Sequence, residues 1–124
     1  MKKVLLVEDE ASLQQTLGTV LREEGFELVS ALNGEDGIRM AHEEKPDIIL
    51  LDLILPKRSG FEVLEELKKD EATKEIPVIV LTNLEGAGDI DRVLAAGATT
   101  YLVKANYGIE ELIAKVREVL KSAP

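Results

Sequence analysis

A chain of 124 residues matches the size of one ordinary domain, and a hydrophobic content of 45% is typical of a globular protein. The net charge of −9, from 24 acidic and 15 basic residues, argues against direct binding to nucleic acid, because such a surface repels phosphate backbones. The absence of cysteine excludes disulfides and thiolate sites, and no apolar run approaches the roughly 18 residues that span a bilayer, so we expect a cytoplasmic protein that makes no membrane contact.

Short apolar runs alternate with longer segments of helical periodicity along the whole chain. The runs predict strands over 4–7, 26–31, 48–51, 76–81 and 100–103. The periodic segments predict five helices, whose apolar stripes are Leu13, Leu17, Val20 and Leu21; Ile38 and Ala41; Val63, Leu64 and Leu67; Ile90, Val93 and Leu94; and Ile109, Leu112, Ile113, Val116 and Leu120. Gly25 and Gly97 are predicted to end the first and fourth helices, and Asn33-Gly34 to form a turn.

The strand runs are apolar throughout, which predicts a parallel sheet covered by helices on both faces. Right-handed crossovers leave few arrangements for five strand-helix units. We therefore predict an α/β fold of the flavodoxin-like type: a three-layer sandwich with a five-stranded parallel sheet in the order 2-1-3-4-5 and five helices.

Polar residues follow four of the predicted strands at their carboxyl ends. Glu8 and Asp9 follow the first strand, Asp52 the third, Thr82 the fourth and Lys104 the fifth. In open parallel sheets, ligand sites form at this edge. The sequence thus predicts one site that contains three carboxylates, a hydroxyl and an ammonium group.

These groups suit a phosphoryl site with a metal ion. Three crowded carboxylates repel one another and need a cation, and a set of hard oxygen ligands favours Mg²⁺. Lys104 and the ion would neutralise phosphate oxygens, and Thr82 could donate a hydrogen bond to them. Asp52 stands alone at the end of a central strand and is the best-placed nucleophile for an acyl phosphate, whereas Glu8 and Asp9 are better placed to hold metal.

Each residue also has an ordinary structural explanation. Asp9 or Glu10 could cap the following helix, Asp52 could be a loop residue, and Lys104 could be a solvated charge. The lone histidine, His42, is predicted to lie on a helix beside Glu43 and Glu44, far in the chain from the strand-end residues, and is expected at the surface. The coincidence of all the other groups at one edge favours the functional interpretation.

Several segments together resemble a response-regulator receiver domain over essentially the whole chain. They are VLLVEDE at 4–10, DIILLD at 47–52, Pro56 with Gly60, VLT at 80–82, AGA at 96–98 and YLVK at 101–104. The resemblance implies a single receiver domain over residues 1–124, with a core at about 3–121, which catalyses only its own phosphorylation and dephosphorylation and is not otherwise an enzyme.

The resemblance also implies roles for individual residues. Asp52 would take a phosphoryl group from a sensor histidine kinase, a phosphotransfer protein or a small phosphodonor. Asp9 and Asp52 would bind Mg²⁺ directly, Glu8 mainly through water, and Ile54 through its backbone carbonyl.

The remaining implied roles concern the switch. Thr82 and Lys104 would contact the phosphoryl group, and Tyr101 would change rotamer as Thr82 moves. Helix 4, strand 5 and helix 5 would form the face that binds a downstream protein partner or effector domain, through a bias in a two-state equilibrium.

Three features depart from the family pattern. Ala105 follows Lys104 where the family usually has proline, often with a cis bond, so we expect a trans peptide there. Asn83 is larger than the residue that often follows the switch hydroxyl. Ile54 and Leu84 are apolar at positions that influence the approach of water, which predicts slow self-dephosphorylation.

Three other functions remain to be weighed. A phosphatase of the haloacid dehalogenase type would carry a second acid where Ile54 stands. A flavodoxin-like cofactor binder would need a phosphate-cradling loop where Glu8, Asp9 and Glu10 stand. A receiver-like protein that acts by partner binding without phosphorylation is disfavoured by the complete acid set, although Ala105 leaves it open.

Overall fold

The computed structural model describes residues 2–53, 55, 59–82, 87–103 and 108–122, with the backbone alone at 82 and 87–89. Within these residues, five strands and five helices alternate. They are β1 (Lys3–Val7), α1 (Ala11–Glu23), β2 (Glu27–Ala31), α2 (Gly34–Glu44), β3 (Ile48–Asp52), α3 (Gly60–Lys69), β4 (Val78–Thr82), α4 (Ala87–Ala95), β5 (Thr100–Val103) and α5 (Ile109–Ser122).

All strand pairs are parallel, and the order in the sheet is β2-β1-β3-β4-β5. The predicted flavodoxin-like fold is confirmed. Val7 pairs with both Ala31 and Leu51, and Thr82 pairs with Val103. This register aligns the carboxyl ends of the strands along one edge of the sheet.

Two hydrophobic clusters lie on opposite faces of the sheet, because successive strand residues point to opposite sides. One cluster joins residues such as Leu6 and Leu50 to α1 and α5. The other joins Leu5, Ile49 and Leu51 to α2, α3 and α4. The three inner strands β1, β3 and β4 are therefore buried on both faces.

Two helices end as predicted at a glycine with positive φ. Gly25 (φ +93°) follows α1, and Gly97 (φ +112°) follows α4. The amide of Gly97 donates to the carbonyl of Leu94 and the amide of Ala98 to that of Val93, which is the hydrogen-bond pattern of a Schellman motif. Only a residue without Cβ adopts this conformation readily.

Some predicted details are wrong. β4 begins at Val78 rather than at residue 76, and Pro77, which lacks an amide hydrogen, contributes only its carbonyl, to the amide of Ile49. Asn33 is not in a free turn but caps α2, since its side chain accepts from the amide of Asp36 at 2.9 Å. Leu94, placed in the apolar stripe of the fourth helix, is 41% exposed.

The last helix buries Val119, which the predicted stripe omitted. No helix in the part of the chain that the structure describes combines the length and apolar character needed to cross a membrane.

Candidate metal and phosphoryl site

The predicted acidic residues meet at the carboxyl edge of the sheet. Glu8 and Asp9 directly follow β1, and Asp52 is the last residue of the neighbouring strand β3. Each offers a carboxylate oxygen, and these oxygens all lie within 4.8 Å of one another. Glu8 is 1% and Asp52 5% exposed, whereas Asp9 is open to solvent. A small cation can therefore reach the cluster from the Asp9 side.

Two backbone amides of the turn after β1 donate hydrogen bonds, one to a carbonyl and one to a carboxylate. The amide of Glu8 donates to the carbonyl of Ala31 at 3.0 Å, and the amide of Glu10 donates to Oε2 of Glu8 at 3.1 Å. Glu10 occupies the position before α1, but within the described residues its side chain makes no capping hydrogen bond. The capping explanation therefore fails for Glu10.

The backbone at the start of α3 lies close against the strand end that carries Asp52. The amide of Gly60 donates to the carbonyl of Leu53 at 2.8 Å. A Cβ atom at Gly60 would lie 2.4 Å from the carbonyl oxygen of Asp52, closer than real side chains come. Ser59 and Glu62 form a capping box that begins α3 at this point. Glycine at position 60 thus lets α3 begin directly against the strand end that carries Asp52.

Two residues predicted for the phosphoryl contacts and the switch, Thr82 and Tyr101, lie on β4 and β5. The backbone of Thr82 ends β4 beside Val103, two strands from β1 on the same edge. Tyr101 lies on β5, half-buried against the second hydrophobic cluster. Its predicted rotamer change stays a prediction.

Other predicted features lie outside the described residues. They are the backbone carbonyl of Ile54, the side chains of Thr82 and Lys104, the peptide bond to Ala105, and Asn83 and Leu84.

His42 lies apart from the acidic cluster. Its Nε2 is 3.3 Å from Oδ2 of Asp70, and both side chains are partly exposed. This position agrees with the expected surface role.

Gln14 is a residue near the site that the sequence patterns did not identify. It lies in α1, is 8% exposed, and donates to the carbonyl of Glu8. A glutamine between the apolar residues Leu13 and Leu17 was a weak signal, because a polar residue at that spacing usually faces solvent.

The sequence model of the response regulator receiver domain family matches residues 4–117. Among curated proteins, the chain is 39% identical over 120 residues to a probable transcriptional regulator ycf27 of Guillardia theta, covering 97% of this chain and 46% of that protein. It is 35% identical over 120 residues to the phosphate regulon transcriptional regulatory protein PhoB of Escherichia coli, covering 97% and 52%. The chain spans about half the length of these curated relatives.

Solved structures give the same picture. The receiver domain of the Francisella response regulator 1452 superposes with a TM-score of 0.92 at 27% identity, over 100% of both chains. The receiver domain of the sensor histidine kinase PA1611 of Pseudomonas aeruginosa, described with a magnesium ion in its active-site cleft, superposes with a TM-score of 0.89 at 30% identity, over 98% of both chains.

Proposed function

The chain belongs to the family of response regulator receiver domains, the signalling modules of two-component systems, and from that premise we propose that Asp52 is its phosphoacceptor. One observation carries this assignment. Asp52 is a buried carboxylate at the end of the central strand β3, with oxygens of Glu8 and Asp9 within 4.8 Å. We also propose that residues 1–124 act as one receiver domain, with its core at about 3–121.

The donor set fits Mg²⁺. All the clustered atoms are carboxylate oxygens, which are hard ligands, and the exposed Asp9 leaves room for ion-bound waters. Asp9 and Asp52 would hold the ion directly, Glu8 through water, and the backbone carbonyl of Ile54 would add a ligand. Bound there, Mg²⁺ would supply positive charge that stabilises the oxygens of a phosphoryl group in transfer.

The proposed chemistry is a single phosphoryl transfer. An oxygen of Asp52 attacks the phosphorus of a phosphohistidine, the new O–P bond forms as the N–P bond breaks, and the leaving imidazole keeps the electron pair and takes a proton. The side chains of Lys104 and Thr82 would contact the phosphoryl oxygens. The phosphorylated aspartate carries more negative charge than the free carboxylate. The side chains of Lys104 and Thr82 would therefore interact more strongly with the product.

We propose that the signal passes to protein partners. The phosphoryl donor would be a sensor histidine kinase or a phosphotransfer protein, in the cytoplasm, and Tyr101 with the α4, β5 and α5 face would bind the output partner. The curated relatives are named as transcriptional regulators and are about twice as long, so an effector domain is one such partner. The receiver domain itself would contact neither nucleic acid, given its charge of −9, nor membrane.

Acetyl phosphate with Mg²⁺, followed by intact-mass spectrometry, tests the assignment. We expect the parent protein to gain one phosphoryl group, and the gain to disappear with Asp52→Asn or with a chelator. Asp47→Asn is the matched control, since Asp47 precedes the opposite end of the same strand and should leave the reaction intact. A protein that gains no phosphate under these conditions would instead be a receiver-like module that acts by binding alone.

A further inference from the structure

Gln14 places an amide group beneath the acidic turn. Its Nε2 lies 3.1 Å from the carbonyl oxygen of Leu6, 3.0 Å from that of Glu8 and 2.9 Å from that of Ala31. Three carbonyl oxygens around one atom identify it as the nitrogen, because an oxygen there would face only acceptors. The side chain thus joins the carboxyl ends of β1 and β2 through donated hydrogen bonds.

The same residue holds the acidic turn from its other end. The backbone amide of Gln14 donates to the carbonyl of Glu10 at 3.0 Å, while its side chain donates to the carbonyl of Glu8. The bond to Glu10 is an ordinary hydrogen bond of the first helical turn, so only the bond to Glu8 depends on the glutamine side chain. Asp9, the exposed member of the acidic cluster, lies between the two residues whose carbonyls accept from Gln14.

Gln14 is a costly residue to bury. Among the described residues, its Oε1 is a buried side-chain atom without a hydrogen-bond partner. An amide acceptor buried without a partner destabilises a fold, whereas the amide nitrogen supplies the donor for three backbone carbonyls, which an apolar side chain would leave without it. Glutamine at this position is therefore explained by the hydrogen bonds that it donates to the strand ends and to the acidic turn, and not by apolar packing.

We propose that Gln14 is a positioning residue for the metal site: by fixing the backbone of residues 8–10, it presents Glu8 and Asp9 in the geometry that binds Mg²⁺. This inference rests on the proposed function. Groups that orient metal ligands without touching the ion typically change affinity by about 10–100-fold when they are removed. Ligands held in place before binding also lose less freedom when the ion arrives.

The test is a titration of the apo protein with Mg²⁺ alone, read by calorimetry well below the unfolding temperature. Gln14→Met, which keeps the length of the side chain but removes the amide, should weaken Mg²⁺ binding by about tenfold or more. Gln15→Met is the matched control, because Gln15 is the exposed neighbour on the same helix and should bind Mg²⁺ as the parent does.

A second control separates positioning from stability. Leu21→Ala removes a fully buried side chain of α1 from the first hydrophobic cluster, so it should lower the unfolding temperature without changing Mg²⁺ affinity. Parent-like affinity in a folded Gln14→Met protein would overturn the inference while leaving the proposed function in place. Failure of the parent protein to bind Mg²⁺ would instead overturn the proposed function.

A measurement on the unaltered protein covers the case in which Gln14→Met does not fold. The side-chain amide protons of Gln14 should exchange with solvent much more slowly than those of Gln15, and their NMR signals should shift when Mg²⁺ is added. Exchange as fast as that of Gln15 would show that the side chain does not hold the turn, and so would signals that stay unshifted at a Mg²⁺ concentration at which calorimetry shows the ion to be bound.

Discussion

The two ends of the sheet carry charged residues in opposite arrangements. At the carboxyl end, the carboxylates of Glu8, Asp9 and Asp52 share one small volume. At the amino end, opposite charges meet instead: Nζ of Lys3 lies 3.1 Å from Oε1 of Glu44 and 3.6 Å from Oε2 of Glu27. Hydrogen bonding to the Glu44 carboxylate raises the pKa of the Lys3 ammonium group.

The amino end also satisfies backbone groups with charged side chains. Oδ2 of Asp47 accepts from the amide of Lys3 at 2.7 Å, and Nζ of Lys68 donates to the carbonyls of Lys74 and Ile76 at 3.1 and 2.7 Å. Burial lowers the pKa of the Lys68 ammonium group. At the amino end, then, each of these charged side chains lies beside an opposite charge or a backbone group that it can bond, whereas like charges meet at the carboxyl end.

The largest expected effect is the response to Mg²⁺, which should distinguish the two ends. At about a hundred times its dissociation constant, Mg²⁺ should raise the free energy of unfolding of the parent by about 2.7 kcal/mol. Asp9→Asn should lose most of this gain, yet unfold at a higher temperature than the parent without Mg²⁺, because one of three like charges is removed. Thermal unfolding with and without the ion measures both effects.

Asp47→Asn is the control for this comparison. It changes a carboxylate at the amino end, so the gain from Mg²⁺ should remain while the stability of the apo protein falls. Equal losses of the Mg²⁺ response in Asp9→Asn and Asp47→Asn would contradict the division between the two ends.

A second substitution tests the close approach at the carboxyl end. Gly60→Ala forces the start of α3 away from the backbone of Asp52, and overpacking of this kind should lower the free energy of unfolding by about 2 kcal/mol. Denaturant unfolding checks it. Gly108→Ala, where an added Cβ meets nothing within 4 Å, should be nearly neutral. If the two variants lost similar free energy of unfolding, the close contact at Gly60 would not be the cause.

The smallest effect concerns the amino end. Lys68→Met keeps the apolar stem but removes the donor to two backbone carbonyls, which should lower the free energy of unfolding by about 1.5 kcal/mol. Lys69→Met alters the exposed neighbour and should change little. Mg²⁺ binding, measured by calorimetry, should be unaffected in both variants. Weaker binding in Lys68→Met would show that a change at the amino end of the sheet alters the metal site at the carboxyl end.

The order and type of the elements followed from local pattern, because the facing of side chains repeats with period 2 in strands and about 3.6 in helices. Apolar runs such as 48–51 identified the central strands, and the glycines at 25 and 97 marked helix ends that require positive φ. The acidic residues were found for a related reason. The carboxyl ends of parallel strands share an edge, so Asp9 and Asp52 could be placed together from their positions after two strands.

Details that depend on distances between remote segments could not be predicted in this way. Leu94 fits the stripe of α4 but is 41% exposed, and the role of Gly60 depends on how closely α3 approaches β3. Gln14 shows the limit most clearly. Its residue type says only that it is polar, and whether its amide meets water or three carbonyls depends on how α1 packs against the ends of β1 and β2.

The sequence by itself determined the alternation of elements, the parallel sheet and the set of acids at one edge. Each of these follows from the periodicity of apolar residues or from the position of a residue directly after a strand. Only the tertiary structure decided that three carboxylate oxygens fit within 4.8 Å and that a buried glutamine holds the turn between them. Such placements depend on contacts between segments distant in the chain, and no local pattern encodes the distance between two packed elements.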